Sequence, residues 1–192
     1  MRAPAQTPHR LSPSAGFTLV ELLVTVGLIS ILAGMGAMIM PGAVAAAKAD
    51  AGASRVESAL RVAREQAIAQ RRTVRVAFTP PNRVVTSRVE VPGPGTTVLT
   101  TTELEDGMTF QLYSGVPDTP DAFGRSSATS FGMASSISFS SEGTFVDQNG
   151  DPINGTVFLG RPSTPLTARA VTIFGPTALV RGWKWNGSLW TR

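Results

Sequence analysis

Along its 192 residues the chain passes through three regimes of polar and apolar patterning. No residue between Leu22 and Ala47 is charged, and the run from Phe17 to Met40 is otherwise apolar, small or hydroxylated apart from Glu21. About 20 such residues suffice to cross a bilayer as a helix. Pro41-Gly42 interrupts the run, because proline removes a backbone donor and biases its predecessor away from helix, so a kink or locally melted turn is expected there. A helical period resumes over residues 43–71, where Val56, Leu60, Ala63 and Ala67 recur at spacings of four, three and four. Arg55, Arg61, Arg64 and Glu65 fall mostly off this stripe, which is the surface on which a sheet should pack. Glu57 stands four residues before Arg61, a favourable helical pair.

After Arg71-Arg72 the period shortens to two: Val74, Val76 and Phe78 alternate with Thr73, Arg75 and Ala77, the signature of a half-buried strand. Pro80-Pro81-Asn82 turns the chain, and residues 84–91 form the predicted hairpin partner. Further strands are expected over 97–104, 108–113 with Met108, Phe110 and Leu112 on one face, 136–140, 156–159, 169–174 and 177–181. Short strands separated by turn residues imply an antiparallel sheet. The predicted fold class is α+β, a long N-terminal helix packed on an antiparallel sheet. Its expected divisions are residues 1–16, a helix over 17–44, and a globular domain over 45–192 comprising an amphipathic helix (45–71) and the sheet (73–192).

Charge is blocked along the chain. Residues 55–88 hold eight arginines against Glu57 and Glu65, residues 90–151 hold nine acids against Arg125 alone, and beyond Asp151 five bases follow with no acid. Such blocks are usually solvated faces, but they can also steer neighbouring molecules together. Cysteine is absent, so no disulfide staples the domain. The one histidine, His9, precedes the apolar run. A chain cut after Gly16 would have neither His nor Cys, and so would lack the usual general base, the thiolate nucleophile and the commonest transition-metal ligands. No catalytic constellation is evident and no cofactor is expected; the reading is non-enzymatic.

Glu21 needs a reason to be where it is. An acid at helix depth in lipid is unfavourable by roughly 2.5–3.5 kcal/mol on insertion scales. Residues 1–16 carry Arg2, His9 and Arg10 and no acid, which by the positive-inside rule puts this end in the cytoplasm and Glu21 near the inner boundary of the lipid, where it could simply be wet. A secretory signal would place its small-residue cleavage site after the apolar core. Here the small pair, Ala15-Gly16, comes before it.

Gly16-Phe17-Thr18-Leu19-Val20-Glu21, followed by the apolar run, resembles the type IV pilin and pseudopilin family at each position. The resemblance implies that a prepilin peptidase cuts after Gly16, that the new N-terminus Phe17 is N-methylated, and that Glu21 is an assembly residue meeting the terminal amine of a neighbouring subunit. The passage "SRVESALRVAREQAIAQRRTVRVAF", residues 54–78, closely resembles the H-type pseudopilins of type II secretion and related minor pilins of type IV pili. The close resemblance covers residues 14–78; "ISFSSEGTF" and "ARAVTIF" match late strands of the family more loosely. Many major pilins carry a C-terminal disulfide loop, and its absence here favours a minor subunit. The resemblance therefore implies a structural minor subunit of a type II secretion pseudopilus or type IV pilus, a single pass through the inner membrane, an extracytoplasmic globular domain, and other pilins or pseudopilins as partners.

Three later stretches are candidate sites. Asp147, Asn149 and Asp151 alternate as in a calcium loop, but Gly150 and Phe158 fall at the wrong positions for an EF-hand, and a polar turn is the preferred reading. Residues 112–135, rich in Gly, Pro, Ser and Asp, read as a long surface excursion of the kind in which binding residues occur. "WKWNGSLW", residues 183–190, holds all three tryptophans about Asn186-Gly187, a two-residue hairpin signal. Trp183 and Trp185 would share one strand face and close the end of the sheet. Arg181 and Lys184 beside these aromatics are candidate DNA contacts, the alternative being a DNA-binding minor pilin involved in DNA uptake.

Overall fold

The computed structural model describes residues 16–93 and 95–192, the side chains of residues 36–39 excepted. Two compact units divide at Pro41/Gly42. Helix α1 is Leu19–Gln70, 52 residues, and Pro41 stands inside it. Of the two expectations at Pro41-Gly42 the melted turn is absent, since helix is formed on both sides of it and through it, while the kink has its counterpart just before, in a break between Leu19–Met35 and Met40–Gln70. Proline costs an interior helix a hydrogen bond and a clash, but the AVAAAKA stretch that follows has high intrinsic helix propensity and carries the helix on. At its far end α1 closes with a Schellman arrangement: the Arg72 amide donates to the Ala67 carbonyl, the Arg71 amide donates to the Ile68 carbonyl, and Arg71 takes the left-handed conformation at φ 50°.

In the C-terminal unit, strands β1 (Val74–Thr79), β2 (Arg83–Val89) and β3 (Thr96–Glu103) form a meander. They are followed by β4 (Thr109–Phe110), β5 (Thr129–Ser130), β6 (Ile137–Phe139) and β7 (Phe145–Val146). The chain ends with β8 (Gly155–Gly160), β9 (Arg169–Phe174), β10 (Leu179–Trp185) and β11 (Trp190–Thr191). All pairings are antiparallel and they make two sheets. The first has the order β3-β2-β1-β6-β7, the second β11-β10-β9-β8-β4, with β5 also on β8. The α+β class holds, with two sheets in place of one. They are stitched where the Phe110 amide on β4 donates to the Pro81 carbonyl in the β1–β2 turn.

Both sheets close on one face of α1. The predicted stripe Val56, Leu60, Ala63 and Ala67 is buried, and Ala49 and Ala53 extend it toward the start of the unit. Val74, Val76 and Phe139 meet it from the first sheet, and Leu159, Val171 and Ile173 from the second. The small side chains let strands approach closely. Gly52 belongs to this logic: a Cβ there would lie 3.3 Å from Met108 Cγ and 3.4 Å from Leu159 Cδ1.

Strand β9 is buried at five successive positions, which means that the second sheet is covered on both faces. Val171 and Ile173 belong to the core under α1, whereas Ala170 joins a second core with Tyr113, Val116, Phe158, Ala168, Trp185 and Trp190. The cover on this far face is the Gly- and Pro-rich excursion itself. Residues 112–135 are thus no free surface loop: Tyr113, Val116, Thr119, Ser130 and Phe131 are buried, and the Trp190 indole donates to the Pro117 carbonyl at 3.0 Å.

Other departures from expectation have similar causes. The strand expected over 108–113 shrinks to β4 because β4 and β5 divide the outer edge of β8, β4 taking Leu159 and Gly160 and β5 taking Thr156 and Val157. The strand expected at 177–181 begins at Leu179 and runs to Trp185, after a 3₁₀ turn at Gly175–Thr177 and a left-handed Ala178. Gly175 is seated so closely that a Cβ would lie 2.6 Å from the Ile153 backbone. The terminal hairpin pairs Trp185 with Trp190, so its loop has four residues and not two. Asn186 makes the difference, its Oδ1 accepting from the Ser188 and Leu189 amides and from the Ser188 hydroxyl.

Leu60 lies at the centre of the helix stripe and is 1% exposed. Leu60→Ala should lower stability by about 2–5 kcal/mol, because the small residues around it leave the void unfilled. Denaturant unfolding of the full chain in detergent, followed by near-ultraviolet circular dichroism, checks this; a loss below about 1 kcal/mol would contradict the packing described.

Candidate functional site

The N-terminal segment begins with Gly16 and Phe17, both exposed, and α1 begins at Leu19. Thr18 stands in the N-cap position. Its Oγ1 accepts from the Glu21 amide at 3.2 Å, and Glu21 Oε2 in turn lies 3.3 Å from the Thr18 amide and 3.2 Å from the Thr18 hydroxyl, each donating to it. This is a capping box, which satisfies two of the donors that every helix start leaves unpaired. Glu21 is therefore tied to the helix start by local geometry, a role beyond the interfacial and assembly readings. The signal was present as Thr-x-x-Glu ahead of an apolar run.

Beyond the cap the segment is apolar all round. Phe17 is 83% exposed, and the large apolar residues from Leu19 to Met35 are all exposed within the chain. A helix of this kind is stable only when something else covers it. Among the described residues no single helix is long and apolar enough to cross a membrane, while Leu19–Met35 and Met40–Gln70 pass that test together by length and composition.

The C-terminal bases lie beside the tryptophans, and they are ion-paired. Arg181 and Lys184 lie on β10, and each has an acid: Arg181 Nη1 donates to Asp121 Oδ1 at 2.8 Å, and Lys184 Nζ lies 3.4 Å from Asp50 Oδ2. Arg169, 1% exposed at the side chain, donates from Nε to Asp50 Oδ1 at 2.6 Å. Its other donors reach the carbonyls of Ala46, Leu166 and Ala168. Trp185 and Trp190 are buried against each other at 5.5 Å between ring centroids, and the Arg192 guanidinium lies 5.4 Å from the Trp183 ring centroid. A surface for phosphates and stacked bases needs free cations and open aromatic faces; these side chains are largely engaged within the domain.

The blocks of opposite charge also meet within the chain. Lys48 pairs with Asp106, Arg55 with Glu105, Arg83 with Glu103 and Arg88 with Glu90, at 2.7–3.0 Å. Three of the eight arginines of the helix and first hairpin, Arg55, Arg83 and Arg88, thus meet glutamates of the acid-rich segment that follows them.

Asp121 is a residue that composition alone would not single out. It lies in the excursion over the far face of the second sheet. Its carboxylate accepts from Thr172 Oγ1 at 2.6 Å, Arg181 Nη1 at 2.8 Å and Trp183 Nε1 at 3.1 Å, and so binds the excursion to β9 and β10. Burial pushes its carboxyl pKa up, but the hydrogen bonds from Thr172 and Trp183 and the Arg181 charge more than offset this and hold it below the ordinary Asp range. Asp50 behaves alike: burial raises it, and Arg169 with Lys184 lowers it further.

The candidate calcium residues form a turn. Asp147 Oδ1 accepts from the Asn149 amide at 2.8 Å and the Asp151 amide at 3.0 Å, and the Asp147 amide donates to the Asp151 carbonyl. The carboxylate is thus occupied in shaping the loop, as the polar-turn reading expects, and Asn149 and Asp151 stand exposed beside it.

Comparisons with known proteins point to the N-terminal segment. Residues 11–37 match the prokaryotic N-terminal methylation motif, a type IV prepilin-like signature. No curated protein sequence matches the chain. Among solved structures, the chain is similar to the minor pseudopilin EpsH from the type 2 secretion system of Vibrio cholerae, with 14% identity over 71% of this chain and 97% of that one and a TM-score of 0.47.

Both depressed carboxyls contribute stability that is complete above the ordinary Asp value of about 3.9 and is lost as pH falls through their lower folded values. Asp121→Ala leaves three donors without their acceptor and should cost about 1–3 kcal/mol at pH 7. In denaturant unfolding the gap between parent and variant should narrow as pH falls from 5 to 2. A gap that stays constant would show that the Asp121 charge contributes nothing.

Proposed function

We propose that the chain is a non-enzymatic minor subunit of a pilin-like filament, a type II secretion pseudopilus or a type IV pilus. In this reading a prepilin peptidase cuts between Gly16 and Phe17, Phe17 is N-methylated, and residues 17–44 anchor the subunit in the inner membrane before passing into the filament core. Residues 45–192 form the domain on the extracytoplasmic side. One observation carries the reading: the methylation motif at residues 11–37 coincides with the capped start of α1, where the large apolar side chains from Leu19 to Met35 are all uncovered. Lateral contact with like helices, or lipid before assembly, supplies the missing cover.

The ion pairs of Arg181 and Lys184 favour this reading over DNA uptake, in which those side chains would face phosphates. In the filament Glu21 would lie in an apolar core, where a charge without a partner is very costly. The free amine of Phe17 in a neighbouring subunit is a partner of suitable charge.

The capping box allows the two roles of Glu21 to be separated. Glutamine serves at the third helical position of a capping box as glutamate does, so Glu21→Gln keeps the cap and removes only the charge, whereas Glu21→Ala removes both. With the partner subunits and peptidase present, both variants should be processed, accumulate in the membrane and fail to enter filaments, as scored by cross-linking and by sheared-filament blots. Normal entry of Glu21→Gln would reduce Glu21 to a helix cap, and normal entry of both would remove the assembly role.

A further inference from the structure

Asparagine is followed by glycine at three places, Asn149-Gly150, Asn154-Gly155 and Asn186-Gly187. Such a step can modify itself. The glycine amide nitrogen attacks the carbonyl carbon of the asparagine side chain, a cyclic imide closes, and ammonia leaves. The reaction is favoured by a glycine amide free of any acceptor, a free carboxamide nitrogen, and donors on the carbonyl oxygen where negative charge develops. A nearby carboxylate opposes it, because the attacking amide must lose its proton.

The fold treats the three steps differently. Asn154 is half-buried and its Oδ1 accepts from the Gly175 amide at 2.8 Å, while Gly155 is buried in β8 opposite Ile173 with Phe131 packed over it. Asn149 is exposed, but its Nδ2 donates to Asp147 Oδ2 at 3.3 Å and the Gly150 amide donates to the Asp147 carbonyl at 3.3 Å. Leaving group and nucleophile are both held there. Asp147 and Asp151 add negative charge on either side.

Asn186 and Gly187 stand exposed at the tip of the β10–β11 hairpin. Neither the Gly187 amide nor Asn186 Nδ2 meets an acceptor among the described residues. Asn186 Oδ1, by contrast, accepts from the Ser188 amide at 2.9 Å, the Leu189 amide at 2.9 Å and the Ser188 hydroxyl at 3.0 Å. Such donors stabilise an oxygen that gains charge as its carbon is attacked. Gly187 has φ 104°, a conformation that side chains disfavour, so the loop geometry itself calls for the unhindered nucleophile. From Leu179 to Arg192 there is no acid.

We infer that Asn186 is a site of spontaneous, fold-assisted deamidation. The bond from Gly187 nitrogen to Asn186 Cγ forms as the amide proton passes to water, the Cγ–Nδ2 bond breaks, and the nitrogen departs as ammonia. A water molecule then opens the imide at either carbonyl, giving aspartate or isoaspartate. Both products turn a neutral tip acidic. Isoaspartate also routes the backbone through Cβ and so lengthens the loop closed by Trp185 and Trp190. The hairpin thus carries a one-way change that accumulates with the age of the protein, whether or not the chain enters a filament.

Purified full chain in detergent is incubated at pH 8 in heavy-oxygen water, sampled over days, and mapped by peptide mass spectrometry. Label should enter at Asn186 several-fold faster than at Asn149 or Asn154, and in denaturant the three rates should converge. Ser188→Ala, which deletes the hydroxyl donor, should slow Asn186 several-fold and leave the other two steps unchanged, with near-ultraviolet circular dichroism showing that the tryptophans keep their packing. Asn149 reacting as fast as Asn186 in the folded chain overturns the assignment, and so does a preference for Asn186 that persists in denaturant. A Ser188→Ala chain that reacts as fast as the parent, or faster, overturns the part given to the donors.

Discussion

One helix face organises the C-terminal unit. Ala49, Ala53, Val56, Leu60, Ala63 and Ala67 form a narrow stripe of mostly small side chains on α1, and two separate sheets close on it. Small residues set the spacing: a Cβ on Gly52 would already be in tight contact with the Met108 and Leu159 side chains. The first sheet needs only this contact and leaves its other face to water. The second sheet is buried on both sides, so it needs a second cover, and the excursion between β4 and β6 supplies it.

Electrostatics follows from that packing. Bringing β9 against α1 buries Arg169, which is tolerable because Asp50 and three carbonyl oxygens meet its fork. Bringing the excursion against β9 and β10 places Asp121 among three donors. The basic and acidic blocks so evident along the chain meet in part, with Arg55 and Arg83 each facing a glutamate from a distant strand end and Arg88 facing the nearby Glu90. What the fold leaves uncovered within the chain is the apolar stretch of α1 from Leu19 to Met35.

Where periodicity was strong, structure was legible. The helix stripe and the alternation of β1 could be read from residue order because each turns one face to the core, while β2, β3, β8 and β9 were marked by short β-branched and apolar runs between turn residues. Gly16 to Glu21 was legible as a motif. The division into two sheets was not, since nothing in a strand's own residues records which neighbour it pairs with. The burial of the excursion was hidden by its Gly, Pro and Ser content, which describes a lack of regular hydrogen bonding and says nothing of exposure. The C-terminal basic run looked unpaired because its acids, Asp50 and Asp121, lie 119 and 60 residues away along the chain from Arg169 and Arg181. The capping role of Glu21 was readable and was masked by the more conspicuous question of a charge beside lipid.

The account depends on the claim that Phe17 is the first residue of the working protein. All else proposed for the N-terminal segment, from the partner of Glu21 to the cover of the exposed helix, requires a free, modified amine at that position. Mass measurement of the N-terminal peptide from cells that contain a prepilin peptidase tests it directly. The account predicts a chain beginning at Phe17 and heavier by one methyl group on its terminal nitrogen; a chain that retains residues 1–16, or one cut after the apolar segment, would contradict it.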